Sequence, residues 1–220
     1  MPHFYTRDDL CIMISHGSGG IGAAEYNTAR YFLEQGYRVV LHDYFAKAGV
    51  SKLFWNYEPD FQDAYTVTFH EMLTNIKLPE QRIVHIGFSL GGLLGLLNSE
   101  KFYKNFCFYP GVFGLPQNKN FDNTTVIVAE HDNWCTHDYK FKNTWYANNC
   151  YHGFMIPEKN KVIPVAKYNF PNEMEYTEYL QLKPNHHYLS ERYSFTKEKI
   201  RLQTNQKHCI MYLNKIRASI

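Results

Sequence analysis

The apolar run Arg82-Ile83-Val84-His85-Ile86 leads through Gly87-Phe88-Ser89-Leu90-Gly91 directly into Gly92-Leu93-Leu94-Gly95-Leu96-Leu97. A strand, a turn with no room for side chains two positions either side of its serine, and a buried helix are written into consecutive residues. Such a G-x-S-x-G turn holds a serine hydroxyl exposed above the end of a sheet. The string alone is short; its placement between an apolar run and an apolar helix is what gives it weight.

The rest of the chain agrees. Cys11-Ile12-Met13-Ile14-Ser15 predicts a buried strand, and a glycine-rich turn follows it. A helix is predicted from Ala23 to Gln35, with Ala24, Thr28, Phe32 and Leu33 on one face and Gly36 as its stop. Tyr37 to His42 is the next strand, and Asp60 is placed to cap a helix carrying Phe61, Tyr65, Thr68, Met72 and Ile76, ended before Pro79. Strands are also predicted at Asn105–Tyr109 and Thr124–Ala129. Repeated strand–helix–strand units with continuous apolar strands imply an α/β fold whose parallel sheet has helices on both faces.

Size and charge narrow the function classes. A chain of 220 residues with 45% apolar residues can bury one sizeable core, so 1–220 is read as one domain. Its net charge of +2, with scattered Lys and Arg, gives no footprint for nucleic acid or an anionic membrane. Residues 1–9 lack the apolar core of a signal peptide, and no stretch approaches the roughly 18 apolar residues of a membrane span. The expectation is a soluble, cytoplasmic protein. Cys11, Cys107, Cys135, Cys150 and Cys209 show no C-x-x-C spacing and are read as free thiols.

The turn after the first predicted strand admits two functions. Gly17-Ser18-Gly19-Gly20-Ile21-Gly22 matches G-x-G-x-x-G, and Asp43 ends the next strand, as in the dinucleotide-binding unit of short-chain dehydrogenases. That reading lacks an Asn-Asn-Ala-Gly type segment, and its Tyr-x-x-x-Lys, Tyr193 to Lys197, comes very late. Alternatively, the backbone N–H groups of His16-Gly17-Ser18-Gly19-Gly20 face the space above Ser89. Acyl transfer places negative charge on a carbonyl oxygen, which two fixed amide donors stabilise. Leu90, following the nucleophile, supplies one; Ser18, with Gly17 as the neighbouring choice, supplies the other.

A serine hydroxyl is a weak nucleophile at its ordinary pKa, so the elbow requires a histidine base and a carboxylate that sets its tautomer. In this fold class they follow the serine as acid, then histidine. Val126-Ile127-Val128-Ala129-Glu130-His131-Asp132-Asn133-Trp134 runs from a strand into a polar turn and offers Asp132, with Glu130 as the alternative. Tyr151-His152-Gly153-Phe154 then offers His152. His186-His187 compete as a base; His131 and His137 beside Asp132 suggest a metal but lack a third ligand at useful spacing. His16 is read as orienting its turn and His85 as a hydrogen-bonded core residue.

With these residues in order, the chain resembles the dienelactone hydrolase-like branch of the α/β hydrolases. The likeness runs over roughly residues 10–154, through His16–Gly20, Gly36–Phe45, the elbow, Glu130–Trp134 and Tyr151–Phe154. It implies a hydrolase of a carboxylic ester or lactone, a small-molecule substrate, with Ser89, Asp132 and His152 as its triad and no metal or organic cofactor. Dienelactone hydrolases proper carry cysteine as nucleophile and an acidic residue in the first turn. The short span from Asp132 to His152 predicts a trimmed sheet edge, with a strand at Phe141–Tyr146 or a helix across Thr136–Asn148. Residues 155–190 form a lid or a surface excursion, with Tyr168, Phe170, Tyr176 and Tyr179 suited to cover an acyl group. A closing helix is predicted from Lys197 to Arg217, carrying Ile200, Cys209, Leu213 and Ile216. A hydrolase fold kept as a binding protein with a disabled site is the non-enzymatic alternative. Nothing in the sequence specifies an oligomeric state.

Overall fold

The computed structural model describes residues 9–46, 82–112, 115, 119–135, 140–168 and 195–220. Six strands form one sheet: β1 (Leu10–Ser15), β2 (Arg38–His42), β3 (Arg82–Phe88), β4 (Lys104–Phe108), β5 (Thr124–Ala129) and β6 (Thr144–Ala147). Their order is β2-β1-β3-β4-β5-β6, and every neighbouring pair is parallel. Every residue of β1 is buried, as expected of a strand covered on both faces.

Two helices cover one face. In α1 (Ala23–Glu34), Ala24, Ala29 and Phe32 meet Ile12 and Ile14 of β1, Val84 and Ile86 of β3, and Tyr212 and Ile216 of α3 (Gln206–Ser219) in a single core. The other face takes α2 (Leu90–Leu97), buried at every position. There Asn105, whose neighbour Phe106 points to the first core, donates from Nδ2 to the Gly95 carbonyl at 2.9 Å. A two-stranded antiparallel hairpin, β7 (Asn160–Tyr168) with β8 (Phe195–Gln203), stands apart from the main sheet.

Several expectations need correction. Leu33 is 57% exposed; it follows Ala24 by nine positions, about two and a half turns, and so points the opposite way. The closing helix begins at Gln206, after Asn205 caps it by accepting the His208 N–H. Residues 195–203 are instead a strand, in which Ile200 and Leu202 are buried while Lys199 and Arg201 face out. That alternation has the period of a strand. Likewise β7 occupies part of the segment 155–190, read as a lid or a surface excursion. At the sheet edge the strand alternative holds, but over Thr144–Ala147 only, paired parallel to β5. The helix predicted from Asp60 lies outside the described residues.

The central strands enclose a polar chain. His85 Nδ1 donates to Asn105 Oδ1 at 2.8 Å and its Nε2 meets Ser15 Oγ at 2.9 Å; Asn105 Nδ2 reaches Thr124 Oγ1 at 3.1 Å. Burial lowers the His85 pKa to about 3, although the Asn105 bond opposes the shift. Unfolding restores an ordinary value near 6.5, so between those two limits the unfolded chain holds a proton that the folded one refuses. Stability conferred by neutral His85 is therefore complete above pH 6.5 and declines as pH falls toward 3. Urea midpoints measured from about pH 7 down to 4 are expected to drop more steeply in the wild type than in His85→Asn, by up to about 1.4 kcal/mol per pH unit. Parallel slopes would show that the chain loses stability in acid for another reason.

Candidate active site

Ser89 follows β3 and caps α2 with φ 51° and ψ −110°, a conformation L-residues adopt only under constraint. Its N–H donates to the Phe108 carbonyl at the end of β4, at 2.9 Å, which ties the elbow to the sheet. The glycines on either side are required by contact. A Cβ on Gly87 would stand 2.3 Å from the Gly91 carbonyl oxygen, and one on Gly91 would stand 2.3 Å from that of Ser15. Close passage of α2 over the end of β1 is what brings the glycine-rich turn beside Ser89.

His152 Nε2 is 3.0 Å from Ser89 Oγ, and its Nδ1 is 2.8 Å from Asp132 Oδ2. Asp132 follows β5, where its other oxygen accepts the N–H groups of Trp134 and Cys135, both at 2.9 Å. Burial works to raise the Asp132 pKa, but His152 and these two amides outweigh it and hold the carboxyl below its usual range. An ionised carboxylate only accepts hydrogen bonds, so the imidazole proton resides on Nδ1 and the Nε2 lone pair faces the hydroxyl. Burial opposes a positive charge on His152, yet Asp132 and, after it, Cys135 together favour it more, and the net direction of its pKa is upward. The rings of Tyr109 and Trp134 lie 4.8 and 4.9 Å from the imidazole and restrict its tilt. The loop that carries it is anchored by Phe154, fully buried, whose carbonyl accepts the Asn205 N–H at 3.1 Å.

On the opposite side of Ser89, the turn after β1 is shaped by His16. Its Nδ1 donates to the Gly17 carbonyl at 2.7 Å, its ring stacks on Tyr44, and Tyr44 Oη donates to the His16 carbonyl at 2.7 Å. His16 thus orients the turn, as its sequence position suggested, and does not point at the hydroxyl. Leu90 occupies the first helical position of α2, where a backbone N–H has no partner within the helix. Gly17 and Ser18 line the same cavity as Ser89.

The fold is that of an α/β hydrolase. It is the architecture implied by the resemblance, with the serine elbow after a central strand and acid and histidine following in chain order at the carboxyl ends of later strands. No protein-family model and no curated protein sequence matches the chain. Among solved structures it is similar to a dienelactone hydrolase-like promiscuous phosphotriesterase from metagenomic libraries, at 14% identity and a TM-score of 0.47, over 66% of this chain and 72% of that one. It is also similar to Est1E from Butyrivibrio proteoclasticus, in a structure with ferulic acid bound, at 13% identity and a TM-score of 0.43, over 72% of this chain and 86% of that one.

A cavity of about 690 Å³ opens onto Ser89 and His152. It is lined by the glycine-rich turn, by Tyr109 and Trp134, by Ile163, Pro164 and Leu202 of the two-stranded sheet, and by Lys159 and Lys161. Ser15 and His85 also form a serine–histidine contact, but both are fully buried among the strands. Glu130, the alternative acid, is exposed and accepts the Asn149 N–H at 2.7 Å. His131 lies beside Glu130 on the surface, whereas His137, His186, His187 and Tyr193 fall outside the described residues. Among the described residues no helix is long and apolar enough to cross a membrane.

Sequence reasoning missed two groups at this site. Glu25 lines the cavity, buried, with Oε2 accepting the Gly22 N–H at 2.9 Å. Its signal was legible as the three-residue spacing of a capping box. Cys135 lies with Asp132 and His152, one potential ligand atom of each within 4.8 Å of the others. Asp132 and Cys135 are three positions apart, joined by a turn that is not a regular element and so carries no periodic signal.

Proposed function

We propose that the protein is a serine hydrolase that cleaves a carboxylic ester or lactone through an acyl-enzyme. One observation carries this: the unbroken chain from Ser89 Oγ through His152 to Asp132, at 3.0 and 2.8 Å, on the wall of an open cavity. As Oγ attacks the carbonyl carbon, Nε2 takes its proton, and Asp132 stabilises the imidazolium that forms. The proton then passes to the departing alkoxide. Water repeats the attack on the acyl group, His152 again accepting a proton and returning it to Ser89. We assign the oxyanion to the amides of Leu90 and Ser18. Gly17 is the weaker choice because its amide is among those acting on the Glu25 carboxylate. The apolar wall of Ile163, Pro164 and Leu202 suits the hairpin to cover a bound acyl group.

The dehydrogenase alternative is disfavoured by Glu25. A bound pyrophosphate would take the N-terminal amides of α1, and a buried carboxyl group already holds one of them. Fluorophosphonate labelling with an intact-mass readout tests the proposal: one adduct is expected on Ser89. Stoichiometric nicotinamide binding without an adduct would favour the dehydrogenase, and a folded chain that neither labels nor hydrolyses activated esters would favour the disabled binding protein.

His152 must be neutral to act as base, so kcat/KM is expected to rise with pH along a limb whose midpoint lies above the ordinary imidazole value of 6.5. Asp132→Asn removes the foremost charge that raises it and reverses the favoured tautomer. The limb should move to lower pH while the plateau falls by about 10⁴-fold. A limb that stays in place in the variant would separate Asp132 from the titrating group.

A further inference from the structure

The hydrolytic chemistry makes no use of the Cys135 thiol, although it lies half-buried against the Asp132–His152 pair. A carboxylate oxygen, a thiolate sulfur and an imidazole nitrogen are the donors zinc takes, at about 2.0–2.3 Å. Tetrahedral ligands at those lengths stand roughly 3.3–3.8 Å apart. Three donors already within 4.8 Å of one another stand about an ångström or less from that spacing. The carboxylate is held for the purpose: Oδ1 is fixed by two backbone N–H groups, which leaves Oδ2 to face the imidazole. Nδ1 is the nitrogen on this side, since Nε2 faces Ser89.

We propose that Asp132, Cys135 and His152 form an inhibitory site for a soft divalent cation of the zinc type, occupied in competition with catalysis. The consequence for activity rests on His152 being the base proposed above. Coordination needs the Nδ1 lone pair and the thiolate: the neutral ring gives up its Nδ1 proton and takes one up at Nε2, a change of tautomer with no net loss, and the thiol proton leaves to solvent. The ring then carries its hydrogen on Nε2, which donates toward Ser89 Oγ and can no longer accept its proton. Sulfur in the donor set selects against calcium and magnesium, which take oxygen ligands.

Cobalt(II) serves as the spectroscopic probe and zinc as the competitor. Added to wild-type protein and to Ser89→Ala, cobalt is expected to give a thiolate-to-metal charge-transfer band, with proton release, that zinc displaces. The band should vanish in Cys135→Ala and in the size-conserving Cys135→Ser. Zinc should suppress ester hydrolysis reversibly, a chelator restoring it. Against each variant's own metal-free rate, both cysteine substitutions should weaken inhibition by at least about 10-fold. No band, or one that persists without Cys135, would overturn the site, as would inhibition of equal strength in the variants. A zinc-displaceable band in a wild-type protein that hydrolyses no ester would uphold the site and remove the catalytic reading instead.

Discussion

Ser89→Ala is expected to lower kcat for an activated ester by as much as roughly 10⁶-fold, the scale seen when a unit of nucleophile and base loses one member. The measurement is an initial-rate assay paired with fluorophosphonate mass labelling, which should show no adduct. Stability should stay within about 1 kcal/mol, since the side chain is small and alanine faces the same backbone restriction at φ 51°. Removing His152 as well should cost little more, because the hydroxyl and imidazole act on one proton. A Ser89→Ala enzyme retaining a tenth of the wild-type rate would place the chemistry elsewhere in the cavity.

Gly91→Ala should have the largest effect on stability. The added Cβ would lie 2.3 Å from the Ser15 carbonyl oxygen and 2.6 Å from that of His16, and both obstacles are backbone. Relief requires α2 to move away from the end of β1, which opens the core beneath it and parts the glycine-rich turn from Ser89. A loss above about 4 kcal/mol is expected, enough to unfold many domains. Gly19→Ala is the matched control: no atom lies within 4 Å of its Cβ, and stability should scarcely change. Urea unfolding of the pair decides the point. Equal midpoints would mean that the elbow tolerates a wider passage than its packing indicates.

Much of this architecture was legible in sequence because its parts are local. The buried strands announce themselves as unbroken apolar runs, and the elbow announces itself by glycine two positions either side of its serine, between such a run and an apolar helix. The hairpin was less legible. Ile200 and Leu202 alternate with Lys199 and Arg201, but a few residues of alternation beside the periodic pattern of α3 were absorbed into a longer helix. Its partner β7 contains Pro164 and a polar start, weak strand signals that gain meaning only once β8 pairs with them. Leu33 shows the opposite failure, an apolar residue assigned to a face that helical geometry denies it.

By itself the sequence determined the order of the candidate groups: a constrained serine after one strand, a carboxylate after a later strand, and a histidine after that. Each is a short-range pattern, encoded by sterics and periodicity within a few residues. Tertiary structure decided the distances. Ser89 and His152 are 63 positions apart, and nothing local sets the 3.0 Å between them. Parallel pairing does so, by delivering the carboxyl ends of β3, β5 and β6 to one side of the sheet. The same convergence set the Cys135 thiol beside the imidazole, while the Ser15–His85 contact lies sealed among the strands.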